Sequence, residues 1–175
     1  LLSKAVEALD GPETLLLLGG SALDENALEI AGRIAAQTGC KLLSEWSNAR
    51  LERGAGRVSV GRVPYPIDIA LDVLKPYKRI VLVGARAPIG FFAYPGKPAI
   101  LTREDAKILT LADAGTDLGA ALTALCDATG ATTTAPAHVA QVDLPERPSG
   151  PINLDTLAAV IARAIPEDAI VVDES

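Results

Sequence analysis

The sequence predicts an α/β domain with a doubly wound, mostly parallel, Rossmann-like sheet and helices on both faces. Three observations carry this. Short apolar runs alternate with segments of helical period, and strand–helix–strand repetition implies right-handed crossovers that place helices on both faces of a sheet. The runs are continuous rather than alternating, as strands buried on both sides require. Aromatics make up 3% of a chain that is 49% hydrophobic, so the core must be packed from Leu, Ile, Val and Ala. At 175 residues the chain fits one ordinary domain, or one domain and a short piece of a second.

In order along the chain, Leu2 to Leu9 has helical spacing and stops at Asp10-Gly11-Pro12. Thr14–Leu18 is the first buried strand. Gly19-Gly20 turns the chain, and Ser21 with Asp24 forms a capping pattern before a helix. That helix carries Leu28, Ala31, Ile34 and Ala35 on one face and stops at Gly39. Lys41–Leu43 is a short strand. The section from Glu45 to Arg62 is polar and mostly loop, with Val58–Val60 a further short strand. Pro66 opens a helix holding Ile69, Ala70, Val73 and Leu74, which Pro76 closes. Arg79–Val83 is the second clear buried strand, followed directly by Gly84. Ala99–Leu101 and Ile108–Leu111 read as strands. Thr116 caps a helix through Leu118, Ala121, Leu122 and Leu125 to a stop at Gly130.

Residues 132–151 hold three successive threonines and four prolines without any period. They read as a linker between a domain of residues 1–131 and a segment of residues 152–175. In that segment Asn153 caps a helix on Leu154, Leu157, Ala158, Ile161 and Ile165, Pro166 breaks it, and Ala169–Val172 makes one more strand. The helix is expected to dock, since leaving Leu157 and Ile161 in water forfeits roughly 1.5–3 kcal/mol for each side chain otherwise buried. A buried strand with nothing after it is an odd place for a natural terminus, so the chain is expected to be a piece of a longer protein.

Composition narrows the function classes. A net charge of −6 without any Lys/Arg block argues against nucleic acid or an anionic membrane as partner. No stretch approaches the roughly 20 apolar residues of a membrane helix. No signal-peptide pattern opens the sequence, and the cytoplasm is the expected compartment. Cys40 and Cys126 read as buried thiols in a reducing compartment. One histidine and no paired Cys/His spacing speak against a zinc site.

Candidate ligand contacts cluster at strand ends. Gly19-Gly20, with Ser21 in the first turn after it, lies where an α/β fold holds phosphate at a helix N-terminus. The third glycine of the dinucleotide fingerprint is absent, and a tight turn without a ligand accounts for the same residues. Gly84 ends another strand, and Arg86 two residues on is a bidentate phosphate donor or a surface arginine. Phe91 to Pro98 concentrates Phe91, Phe92 and Tyr94 in a loop that packs on a flat ring, anchors a neighbouring domain or covers the sheet edge. Glu45, Trp46, Asn48, Arg50, Glu52, Arg53 and Arg57 crowd a loop that reads better as solvated than as an acid/base site. His138, the lone histidine, falls in the linker, so no hydrolytic triad is expected and no catalytic or metal-ligating residue is assigned.

Taken together these residues resemble the middle domain of acetolactate synthase-like thiamine-diphosphate enzymes. Leu15-Leu16-Leu17-Leu18-Gly19-Gly20 is similar to that domain's first strand and glycine turn, and Val81-Leu82-Val83-Gly84-Ala85-Arg86 to a strand ending in Val-Gly-x-Arg. Leu111-Ala112-Asp113-Ala114 resembles its closing segment, and residues 164–174 the opening of the cofactor-binding domain that follows. Arg50 to Arg57 and Phe91 to Pro98 look like the large-subunit subgroup. The resemblance implies a parent acting on 2-oxo acids by carboligation or decarboxylation. It implies thiamine diphosphate and magnesium held by the parent's other domains, a homo-oligomeric assembly, and FAD, ADP or nothing in the middle domain. The acidic stretch expected near Ile100 reads Leu101-Thr102-Arg103-Glu104-Asp105, which departs from the FAD-binding pattern. The chain alone is expected to be inactive. A free-standing FAD- or ADP-binding module on Gly19, Gly20, Ser21, Gly84 and Arg86 is the alternative.

Overall fold

Five strands, β1 (Thr14–Leu18), β2 (Lys41–Ser44), β3 (Gly61–Arg62), β4 (Arg79–Val83) and β5 (Lys107–Ala112), form one sheet in the order β3-β2-β1-β4-β5. Every neighbouring pair is parallel. The computed structural model describes residues 1–172 and divides into two units, Leu1–Ala140 and the chain from Gln141 onward. The sheet belongs to the first unit. The central strand β1 is buried at all five positions. Leu16 and Leu18 face one core, and Leu15 and Leu17 the other.

Helices α1 (Leu2–Ala8), α2 (Glu25–Thr38) and α4 (Leu118–Ala128) cover the first face, contributing Ala5, Leu28, Ile34, Leu122 and Leu125 to its core. Among the described residues of the first unit, α3 (Ile67–Leu74) alone covers the other, through Ile67, Ala70 and Leu74. The doubly wound expectation therefore holds, with the two faces unequally clothed. Glycine sets the ends that the sequence marked: Gly39, at φ 78°, accepts the left-handed turn that stops α2.

Several expectations need correction. The helix α3 turns Ile67 inward and leaves Ile69 53% exposed, so its buried face is 67-70-74 rather than one through Ile69. Asp117, not Thr116, caps α4, its side chain accepting from the Ala120 N–H. Thr116 instead donates its hydroxyl to the Asp113 carbonyl. Ser21 caps no α-helix: Gly20–Leu23 is a single 3-10 turn, and Asp24 precedes α2 without a side-chain cap. Val58–Val60 and Ala99–Leu101 are not strands, because Val58 makes one bridge to Val139 and Ile100 one to Ile89.

Within the stretch expected as a linker, residues 137–140 are hydrogen-bonded to α2 and to the loop before β3. The Ala137 N–H donates to the Gly32 carbonyl, Ser59 N–H to the His138 carbonyl and Ala140 N–H to the Arg57 carbonyl. Gly32 explains the approach. A Cβ there would meet Val58 Cγ2 at 2.8 Å and Pro136 Cβ at 3.0 Å, so the missing side chain lets this strap cross α2.

In the second unit, α5 (Leu154–Ala164) starts at a reciprocal cap in which Asn153 accepts from Thr156 N–H and the Thr156 hydroxyl accepts from Asn153 N–H. Arg163 donates to the Pro145 carbonyl at 2.9 Å. Within this unit α5 has no buried residue, and Leu157 and Ile161 are 45% and 48% exposed. Ala169–Val172 is not a strand either, since no neighbour pairs with it and Ile170 is 92% exposed. Residues 173–174 of the resemblance lie outside the described residues.

Candidate functional site

The strand order places the reversal of winding between β1 and β4, the position where open parallel sheets hold ligands outside their carboxyl ends. The chain leaves both strands through glycine. Gly19 N–H donates to the Val83 carbonyl at 3.0 Å, and Gly84 N–H to the Ala112 carbonyl at 2.9 Å. A Cβ on Gly19 would stand 2.6 Å from the Gly84 oxygen and 2.8 Å from Glu45 Oε1. Gly84, at φ +68°, leaves no room for one either. The two turns are thus in backbone contact, and Glu45 lies over them.

Glu45 reaches that position because β2 ends one residue before it and its own N–H donates to the Leu18 carbonyl. Its Oε2 accepts from the Arg86 N–H at 3.3 Å. Beyond Glu45, towards the α3 side, a cleft of about 290 Å³ opens. Leu17 and Val63 form its floor, Glu45 and Arg86 supply opposite charges, and Trp46 and Phe91 stand at its wall.

Trp46 and Phe91 meet edge-on, with centroids 5.0 Å apart at 71°, and Tyr65 packs 5.3 Å from Trp46. Phe92 and Tyr94 continue the cluster outward, and the Tyr65 and Tyr94 hydroxyls lie 3.2 Å apart. That hydrogen bond pushes the Tyr65 phenol above its ordinary value. Phe91 and Phe92 remain more than half exposed.

Of the sequence-predicted contacts, the fold brings Gly19, Gly84 and the backbone of Arg86 together. Gly20 sits at φ +55° near Leu118, and Ser21 is exposed on the 3-10 turn. Only Arg86 of the five lines the cleft. The polar loop after β2 has a structural occupation. Glu52 Oε2 accepts from the Glu25 N–H at 2.6 Å, and this bond holds the Glu52 carboxyl below the usual carboxylate range. Arg50 pairs with Glu52 and Arg57 with Glu25. The first turn of α2, where a phosphate would look for donors, is therefore met by the chain's own carboxylate.

The sequence offers Glu45 and Trp46 as parts of a polar loop that reads better as solvated than as an acid/base site, not as the lining of a cleft. The available signal was position: an acid directly after the second strand of a β-Gly-α-β unit stands where a ligand-facing carboxylate belongs. Among the described residues no three His, Cys, Asp or Glu side chains converge to hold a metal, and no helix is long and apolar enough to cross a membrane.

No family model matches the chain. It is 40% identical over 165 residues to IlvX of Mycobacterium tuberculosis, named for the acetolactate synthase large subunits, covering 94% of this chain and 32% of that protein. Its fold matches the thiamine diphosphate-dependent 4-hydroxybenzoylformate decarboxylase of Rhodococcus jostii RHA1 with a TM-score of 0.66 at 20% identity, over 97% of this chain and 34% of that one. A thiamin diphosphate-dependent enzyme from Mycobacterium smegmatis gives 0.62 at 19% identity, over 95% of this chain and 35% of that one. The chain spans about a third of each of these proteins. Along nearly its whole length, in sequence and in fold, it resembles a segment of the acetolactate synthase-like, thiamine-diphosphate-dependent enzymes.

Proposed function

We propose that the chain is the non-catalytic middle domain of such an enzyme, with the opening of the next domain from about residue 152, in a parent that acts on 2-oxo acids. The observation that carries this is the extended similarity to one third of a large-subunit relative. Its role is architectural: it spaces the parent's catalytic domains and takes part in a cytoplasmic homo-oligomer. The exposed aromatic cluster and the apolar stripe of α5 support contacts with other segments of the same enzyme, because apolar patches of this kind mark interaction surfaces.

Among the described residues, the donor set of the cleft does not fit thiamine diphosphate and magnesium. The cleft's one carboxylate is turned over a glycine pair and bonded to a backbone N–H, and no second acid lines the cleft beside it. In this reading those groups are held by the parent's other domains.

The test is a pair of proteins: the 175-residue chain, and a chimaera in which it replaces the matching third of the mycobacterial relative. With thiamine diphosphate and magnesium supplied, the chimaera is expected to fold and bind the cofactor. The chain alone is expected to bind none and to leave pyruvate unchanged. Pyruvate turnover by the chain alone, above a heat-killed control, would overturn the proposal.

A second reading, FAD or ADP on the Gly19-Gly20 turn, draws support from the β1–β4 junction beneath that turn. Glu45 opposes it, since a phosphate there would meet a carboxylate at close range. Calorimetric titration with both nucleotides is expected to show no binding. Saturable binding weakened by Arg86→Ala would establish the second reading.

A further inference from the structure

The cleft carries two opposite charges that do not pair with each other. Glu45 Oε2 is oriented by the Arg86 backbone N–H, and a carboxylate accepts at about four lone-pair positions, so acceptor capacity remains. The Arg86 guanidinium takes part in none of the ion pairs or side-chain hydrogen bonds among the described residues, and it is exposed. Leu17 and Val63 beneath them are apolar, and the rings of Trp46 and Phe91 stand to one side. At about 290 Å³ the cleft lies at the small end of the range for ligand sites, roughly 300–1,000 Å³, which favours a small ligand over a dinucleotide.

We propose that this cleft binds a free apolar α-amino acid, with its α-ammonium on Glu45, its α-carboxylate on Arg86, and its side chain against the rings of Trp46 and Phe91. The chemistry selects this class. An ammonium offers three donors to a carboxylate, and a guanidinium matches a carboxylate with a planar fork. A 2-oxo acid satisfies Arg86 but leaves Glu45 facing a carbonyl. A nucleotide sets its phosphates against Glu45. A zwitterion with an apolar side chain uses both charges and the rings. The site stands on residues of the first unit alone and does not depend on the architectural role proposed above.

Trp46 is the chain's only tryptophan, so its fluorescence reports directly on the cleft. The full chain is titrated with L-leucine and L-phenylalanine, then with L-leucinamide, which lacks the carboxylate, N-acetyl-L-leucine, which lacks the ammonium, 4-methyl-2-oxopentanoate and ADP. Saturable changes are expected with the two amino acids. The amide, the acetylated form and the oxo acid should bind roughly ten- to a hundredfold more weakly, each having lost one charge-assisted contact. Glu45→Gln and Arg86→Gln should each weaken leucine by a similar factor, with circular dichroism confirming the fold. The ligand series reads the same contacts on the unaltered protein. Absence of a saturable change with either amino acid at millimolar concentration overturns the proposal, as does equal binding of leucine and N-acetyl-leucine. Preference for ADP or the oxo acid over leucine overturns it in favour of those ligands. Because thiamine diphosphate binding by the chimaera is read separately, failure here leaves the architectural proposal standing, and the reverse also holds.

Discussion

Replacing Gly84 by alanine tests whether the β1–β4 junction is as tight as its geometry implies. The perturbation has two parts. At φ +68° a side chain must adopt the left-handed region, which costs about 1–2 kcal/mol. The new methyl group also overlaps the Gly19 carbonyl oxygen and Leu118 Cδ1. Leu118 can adjust, but a backbone carbonyl at the end of a central strand cannot move without disturbing β1, and overpacking of this kind costs about 1–3 kcal/mol. The sum, about 2–5 kcal/mol, is a large fraction of the roughly 5–15 kcal/mol that holds a domain together. Gly96→Ala is the matched control: its φ is +72°, and nothing lies within 4 Å of its missing Cβ. The gain from restricting the unfolded chain is common to both variants and cancels between them. The left-handed cost is common to both variants as well, so the overpacking of about 1–3 kcal/mol remains, and urea unfolding followed by circular dichroism should place the Gly84→Ala midpoint below that of Gly96→Ala by roughly 0.3–3 M, at slopes of roughly 1–3 kcal/mol per molar. Equal midpoints would refute the claim that the two strand ends are in contact.

Gly32→Ala should destabilise by about 1–3 kcal/mol despite alanine's better helix propensity, and should speed hydrogen exchange at Ala137, whose N–H bonds to the Gly32 carbonyl. Asp117→Ala removes the acceptor for the Ala120 N–H and should cost about 0.5–2 kcal/mol in thermal or urea unfolding. Glu13, Glu52 and Asp105 all titrate below their ordinary values, Glu13 through Lys78, Glu52 through the Glu25 N–H and Asp105 through Arg103. A lowered folded-state pKa gives stability that is present above the unfolded value, about 4, and lost as pH falls through the folded one. Stability measured from pH 6 downward should accordingly drop in the acid range, and Glu52→Gln should shallow that drop. Burial raises the Cys40 and Cys126 thiols, so a thiol reagent at neutral pH should label both slowly in the native chain and rapidly in urea.

What the sequence made legible follows from how local each signal is. The strands β1 and β4 are bounded correctly because each ends in four successive apolar residues, Leu15–Leu18 and Ile80–Val83, and is followed at once by a turn glycine. The stop of α2 at Gly39 is likewise a property of one residue. The face of α3 was misjudged because Ile67 and Ile69 are equally apolar, and the sheet beneath decides which turns inward. The cap of α2 is out of reach of local reading, since its acceptor is Glu52, 27 residues away. The strap at residues 136–140 did leave a trace. A glycine in mid-helix costs about 1 kcal/mol against alanine, so Gly32 within α2 marked a place where something passes close. Residues 137–140, inside the stretch whose threonines and prolines read as linker, make their backbone hydrogen bonds to α2 and to the loop before β3, partners that no local pattern could show.

The unequal clothing of the sheet links the fold to its surfaces. Within the described residues of the first unit three helices cover one face and the other has α3 alone, so part of that second face is closed by loops. The connection from β4 to β5 serves as that closure. It contributes Ala85 and Leu101 to the core, and its middle carries Ile89, Phe91, Phe92 and Tyr94, all exposed. A loop with only a covering role would have little reason to place large apolar rings outward, because each exposed ring forgoes the stabilisation that burial brings. The rings are instead held against one another and against Trp46 and Tyr65, at the mouth of the cleft that Glu45 and Arg86 line. The less covered face thus gathers the cleft, the unpaired arginine and the aromatic cluster at the carboxyl edge of one sheet. A contact made there by a ligand or a neighbouring segment bears on the loop between β4 and β5, and through Gly84 on the junction at the centre of the fold.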